Sequence, residues 1–124
     1  RLDEYVEKRH KIAKYYDSAF SNSDVKIPVR ASENLSALHL YVIKVDASRH
    51  REIFQLLIER NIGVNLHYIP VHTHPYYQKL GFKWGDYPNS ESYYKRAISL
   101  PIYPTLEFEQ QKYVIDSLRS VCDF

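Results

Sequence analysis

The run His39-Leu40-Tyr41-Val42-Ile43-Lys44-Val45 decides the fold. Branched and aromatic side chains dominate it and it is too short for a globular helix, so it predicts a strand with a central place in a sheet. Directly after it, Asp46 or Ser48 offers a side-chain oxygen to the free backbone donors of a new helix. In that helix Ile53, Phe54, Leu57 and Ile58 form an apolar stripe that runs out at Asn61 and Gly63. Alternation follows. Val64, Leu66 and Tyr68 fall on one side and Asn65, His67 and Ile69 on the other until Pro70 stops pairing, which predicts a second strand.

Working outward, the segment from Leu2 to Phe20 repeats apolar side chains at the three-and-four spacing of one helix face, with Asp3 and Glu4 at its positive end. Ser21-Asn22-Ser23-Asp24 ends this helix and Pro28 lies in the extended link beyond. Residues 1–24 are therefore a long linking helix and residues 25–124 a compact unit. Downstream, the stretch from Val71 to Ala97 is rich in His, Tyr, Pro and other aromatics, with few aliphatics, and has the texture of a functional loop. Within it a short helix is expected over Tyr76 to Leu80, ended by Gly81, and another from a Ser90 cap to Ala97 with Glu91 in its first turn. Ile98-Ser99-Leu100 predicts a strand closed by Pro101. Thr105 is then expected to cap a last helix, with Glu107 in its first turn and Val114, Ile115, Leu118 and Val121 facing inward. The economical solution is a two-layer α/β domain: a small, mostly antiparallel sheet with helices on one face, preceded by the long helix. The other sheet face is left to meet another domain.

Composition sets the outer limits. With 124 residues, 44% hydrophobic and 26% charged, the chain supports one hydrophobic core and excludes a disordered polypeptide. Seventeen basic against fifteen acidic residues give a net charge of +2, and the basic ones are scattered, so no nucleic-acid partner is expected. No stretch approaches 18 consecutive apolar residues and the opening is charged, so neither a membrane partner nor a signal peptide is expected. The single Cys122 fits a reducing, cytoplasmic compartment. The absence of Met and an opening directly in helical pattern favour a piece of a longer polypeptide.

Candidate chemistry divides into a few classes. His67, His72 and His74 are close in sequence, but a metal site would need them to converge on one ion with a further ligand such as Asp86 or Glu91, and their spacing does not demand it. A self-contained hydrolase lacks its motifs, since no Gly-x-Ser-x-Gly or His-Glu-x-x-His is present. No phosphate loop exists either, because Gly63, Gly81 and Gly85 never cluster. The informative stretch is Asn65 to Tyr77, where rings could cover the apolar face of a sugar or cofactor while His and Tyr heads bond its polar groups. The same rings could instead simply cover a domain interface.

Four blocks carry a resemblance to a known family. Residues 1–16 (RLDEYVEKRHKIAKYY), 39–45 (HLYVIKV), 63–72 (GVNLHYIPVH) and 98–106 (ISLPIYPTL) resemble, in order, the end of the DegT/DnrJ/EryC1/StrS sugar aminotransferases. That resemblance covers essentially the whole chain and implies the small carboxy-terminal domain of the aspartate-aminotransferase fold. The run from Gly63 to Phe82, followed by Gly85 to Glu91, looks most like the pseudaminic acid branch, which aminates C4 of a UDP-linked 4-keto-6-deoxy-N-acetylhexosamine. By the same resemblance the parent uses pyridoxal 5'-phosphate, takes the amino group from L-glutamate and is a homodimer. The family's larger amino-terminal domain, which carries the cofactor lysine, is missing from these residues. None of the lysines present matches that position, so no catalytic or cofactor-binding residue is assigned here, no bound cofactor is expected, and the isolated unit is expected to be inactive. The resemblance points to His67, Tyr68, His72 and Tyr76 as substrate-side contacts, with His72 bonding a sugar or cofactor edge and Tyr76 packing on a ring. The competing reading is a stand-alone, non-catalytic module of the same fold that binds a sugar or a protein.

Overall fold

The computed structural model describes residues 1–122. In chain order it contains α1 (Leu2–Phe20), β1 (Tyr41–Lys44), α2 (His50–Glu59), a 3-10 turn (Val71–Thr73), α3 (Pro75–Lys79), α4 (Pro88–Tyr94), β2 (Ala97–Leu100) and α5 (Phe108–Arg119). The fold is the expected small α/β domain with an antiparallel sheet, helices on one face and a long leading helix. β1 and β2 pair antiparallel, Tyr41 opposite Leu100 and Ile43 opposite Ile98. Lys26 adds a bridge to Lys44 on the outer side of β1 and Asn65 a bridge to Ser99 on the outer side of β2. β1 is thus central, as its composition predicts.

Alternation assigns the two sheet faces. Tyr41, Ile43, Ile98 and Leu100 enter the core with Tyr16 and Phe20 of α1, Ile53 and Leu57 of α2, and Ile115 and Leu118 of α5. Val42 and Lys44 lie on the opposite, partly open face. Hydrogen bonds between elements fix the layers. The Tyr16 hydroxyl donates to the Pro101 carbonyl at 3.0 Å, and Gln111 Nε2 of α5 donates to the Ile12 carbonyl of α1 at 2.7 Å. The Tyr41 hydroxyl donates to Asp17 Oδ1 at 2.8 Å, and Asp17 also pairs with Arg30. Arg60, just past α2, reaches the Ser117 carbonyl at 3.1 Å and so ties α2 to the end of α5.

Three boundaries differ from the sequence pattern, each for a local reason. The strand expected over Val64 to Ile69 reduces to the single Asn65 bridge. There the Asn65 side chain accepts the Leu66 N–H at 2.7 Å, turning the backbone away from the ladder. The helix expected to begin at a Ser90 cap begins at Pro88, whose fixed φ suits a first helical turn. The last helix begins at Phe108, with Glu107 rather than Thr105 at its cap, because Gln110 Oε1 accepts the Glu107 N–H at 3.0 Å. The end of α2 falls where the apolar stripe runs out, with Asn61 in the left-handed conformation (φ 57°).

Candidate functional site

Between Asn65 and Tyr94 the chain leaves the sheet and builds an aromatic lobe around His72. The 3-10 turn starts it: Pro70 fixes the entry, and its carbonyl accepts both the Thr73 N–H at 2.9 Å and the Thr73 hydroxyl at 2.7 Å. Gln78 Nε2 then donates to the Thr73 carbonyl at 2.7 Å, joining the turn to α3. This geometry drives His72 inward until it is 8% exposed. Its Nε2 lies 2.9 Å from Glu91 Oε1 of α4. The same carboxylate oxygen accepts the Gly85 N–H at 2.7 Å and the Tyr87 N–H at 3.4 Å, so one acceptor closes the whole Lys83–Tyr87 turn onto His72. Burial opposes charge on Glu91, but the bonds from His72, Gly85 and Tyr87 more than offset it and hold the carboxyl below its ordinary range. Gly85 itself needs a positive φ (98°), which a residue with a Cβ would adopt only under strain.

Rings surround this pair. Tyr87 stands 4.8 Å and Trp84 6.4 Å from the His72 ring, and the Lys95 ammonium sits 6.0 Å from the Trp84 ring centroid. Val71, His72, Tyr77, Phe82, Tyr87 and Ser90 line a slot of 370 Å³. It is small, largely aromatic and shallow, opening broadly to solvent.

The four residues singled out from the sequence separate into three places. His67 and Tyr68 lie together, their rings 4.6 Å apart, with His67 Nδ1 hydrogen-bonded to Ser99 Oγ of β2 at 2.8 Å. Tyr68 is 69% exposed, which removes it from the core that its alternation with Val64 and Leu66 suggested. His72 belongs to the slot. Tyr76 is exposed on α3 and packs edge-on against Tyr77 at 5.3 Å, and it is Tyr77 that lines the slot. Sequence reasoning raised Glu91 only as a possible further ligand to a metal and missed it as the direct partner of His72. Glu91 reaches His72 across 19 positions. Its local partner at the next turn, Lys95, is drawn instead to Trp84, and nothing in the spacing of His72 and Glu91 favours a direct contact over the other histidines. His74 stays exposed, and among the described residues no three or more His, Cys, Asp or Glu side chains come together to hold a metal ion.

A long leading helix, a small antiparallel sheet and helices on one face define the small domain of the pyridoxal-phosphate enzymes of fold type I. Residues 1–119 match the DegT/DnrJ/EryC1/StrS aminotransferase family, and the chain belongs to it. It is similar to the spore coat polysaccharide biosynthesis protein SpsC of Bacillus subtilis, with 41% identity over 98% of this chain and 33% of that protein. It also resembles a UDP-4-amino-4,6-dideoxy-N-acetyl-beta-L-altrosamine transaminase of Campylobacter jejuni, at 30% identity over 99% of this chain and 34% of that protein. Among solved structures, the apo form of a sugar aminotransferase, Spr1654 of Streptococcus pneumoniae, superposes with a TM-score of 0.91 at 29% identity, over 98% of this chain and 31% of that one. The chain thus spans about a third of the length of these relatives. The pseudaminic acid branch is not singled out, since SpsC at 41% shares more with this chain than the Campylobacter transaminase at 30%.

The described residues do not by themselves fit pyridoxal phosphate. The cofactor calls for an amine in covalent reach, a carboxylate for its ring nitrogen and a phosphate cradle. Lys8 and Lys112 are engaged with Glu4 and Asp116 on helix surfaces, and Lys95 with Trp84. Lys44 lines a depression on the open sheet face whose other walls are apolar or aromatic, with no carboxylate among them.

Proposed function

We propose that this chain is the small carboxy-terminal domain of a pyridoxal-phosphate-dependent aminotransferase that moves an amino group from L-glutamate to C4 of a UDP-linked 4-keto-6-deoxy sugar. The observation that carries the reading is the whole-chain superposition on a sugar aminotransferase at a TM-score of 0.91, together with the family match over residues 1–119. The choice of C4 and of UDP rests on the name of the Campylobacter relative, and a role in surface polysaccharide assembly on that of SpsC. In this reading residues 1–24 link to a large domain that carries the cofactor, and residues 25–124 form the small domain. The complete enzyme acts as a homodimer.

Within the chain, His67, Tyr68, His72 and Tyr76 are assigned to the substrate side. The aromatic slot takes part of the sugar nucleotide, rings covering its apolar faces while His72 bonds a polar edge. His67, held by Ser99, and the exposed Tyr68 form a second contact on the open side of the sheet. The decisive experiment is an assay of the full-length protein with L-glutamate and a UDP-4-keto-6-deoxy-N-acetylhexosamine, following 2-oxoglutarate and the amino sugar. Amino transfer that needs both substrates supports the reading. A full-length protein that binds the cofactor but aminates no nucleotide-linked keto sugar overturns it. For the site, His72→Ala should raise KM for the keto sugar about tenfold, the worth of one hydrogen bond to a ligand. Unchanged kinetics would remove His72 from the substrate side.

A further inference from the structure

We propose that Glu91 is a positioning residue. It holds His72 with its proton on Nε2, so that Nδ1 faces the aromatic slot as an acceptor for a hydroxyl or amide N–H of a bound sugar ring. The inference rests on the reading of His72 as a substrate-side residue.

The tautomer follows from counting donors. Glu91 Oε1 receives the backbone N–H groups of Gly85 and Tyr87 as well as the contact from His72 Nε2, at 2.7, 3.4 and 2.9 Å. An oxygen already accepting two amide protons is an acceptor, so the third contact is also received and Nε2 is the donor. In a neutral imidazole the other nitrogen then carries a lone pair. Among the described residues Nδ1 has no hydrogen-bond partner. It is not sealed off either, for among the described residues Arg9 Nε alone is a fully enclosed side-chain polar atom lacking a partner. His72 lines the slot with Tyr77, Phe82 and Tyr87, rings that suit the C–H faces of a pyranose, and with the hydroxyl-bearing Ser90. An acceptor in this place selects ligands that bring a donor and disfavours those that bring only an acceptor, because the mismatch leaves buried polar groups unpaired. Glu91 thereby affects which sugar binds without touching it.

The Glu91 carboxylate also closes the Lys83–Tyr87 turn, so the test must separate architecture from recognition. In the full-length protein, His72→Gln places an amide N–H where Nε2 donates and so preserves the bond to Glu91, but it removes the Nδ1 edge. We expect this variant to keep Trp84 emission and thermal midpoint while KM for the UDP-linked keto sugar rises about tenfold with kcat little changed. Glu91→Gln, whose carbonyl can still accept all three donors, should keep KM near that of the parent. Nitrogen NMR of selectively labelled histidine should show His72 protonated at Nε2 and bare at Nδ1, a bias lost in Glu91→Ala, and UDP-N-acetylglucosamine should shift Nδ1. A ring protonated at Nδ1, or a tautomer that survives Glu91→Ala, overturns the proposal for Glu91. A tautomer that behaves as stated, with neither an Nδ1 response to UDP-N-acetylglucosamine nor a KM effect in His72→Gln, overturns instead the substrate-side reading on which it rests.

Discussion

At the scale of single residues, the acid and base sensitivities of the chain have opposite signs and different locations. Glu91 has its carboxyl held below the ordinary value of 4.5, so its stabilising contribution is complete above that value and is lost as pH falls through the depressed one. Trp84, the sole tryptophan, stands beside this pair. Its emission should therefore change below pH 4.5 and report opening of the lobe while far-ultraviolet circular dichroism still shows the helices. Tyr16 and Tyr41 behave in the reverse sense. Burial first, and for Tyr41 also its bond to Asp17, raises both phenols above the ordinary 10.0, so the stability they confer is full below pH 10.0 and lost as pH rises further. Alkaline titration should show a delayed, cooperative ionisation of two tyrosines coincident with unfolding. Tyr41→Phe should cost about 2 kcal/mol, the value of a hydrogen bond to a charged partner, and denaturant unfolding measures it.

At the scale of elements, α5 is the helix on which the layers depend. Leu118 is fully buried between α5 and the core, so Leu118→Ala should lower stability by about 3 kcal/mol, read from the urea midpoint at unchanged slope. Gln110→Ala removes the acceptor for the Glu107 N–H at the start of the same helix and should cost about 0.5–1 kcal/mol in the same assay. Most elements were legible. α1, α2 and α5 carry strong periodicity and β1 a dense run of branched and aromatic side chains, and their apolar faces are those that pack. The segment over Val64–Ile69 was not, because alternation states only that a chain could pair, whereas the Asn65 side chain spends the next backbone donor locally. The start of α5 was misplaced for a similar reason. Thr105 suits a cap by type, and only the paired contacts between Glu107 and Gln110 move the start of the helix beyond it.

At the scale of the whole molecule, Tyr68, Ile69, Val71, Tyr76 and Leu80 are all substantially exposed along one stretch of chain. Exposed apolar surface of this kind commonly marks a contact with another body. The 124-residue chain by itself should bind an apolar fluorescent dye in its folded state, and Ile69→Ser combined with Leu80→Ser should reduce the signal without lowering the thermal midpoint. Dye binding that tracks unfolding alone would show the stretch to be covered. Among the described residues no helix is long and apolar enough to cross a membrane.

The amino-acid sequence alone determined the α/β class, the central strand, the leading helix and the density of rings and imidazoles after Asn65, since each depends on side-chain type repeated at short range. Tertiary structure decided which of those rings meet. It moved Tyr68 and Tyr76 out to solvent, brought Tyr77 into the slot and joined His72 to Glu91, because a hydrogen bond between residues 19 apart exists only once the turn between them has closed. Periodicity carries no record of such a contact.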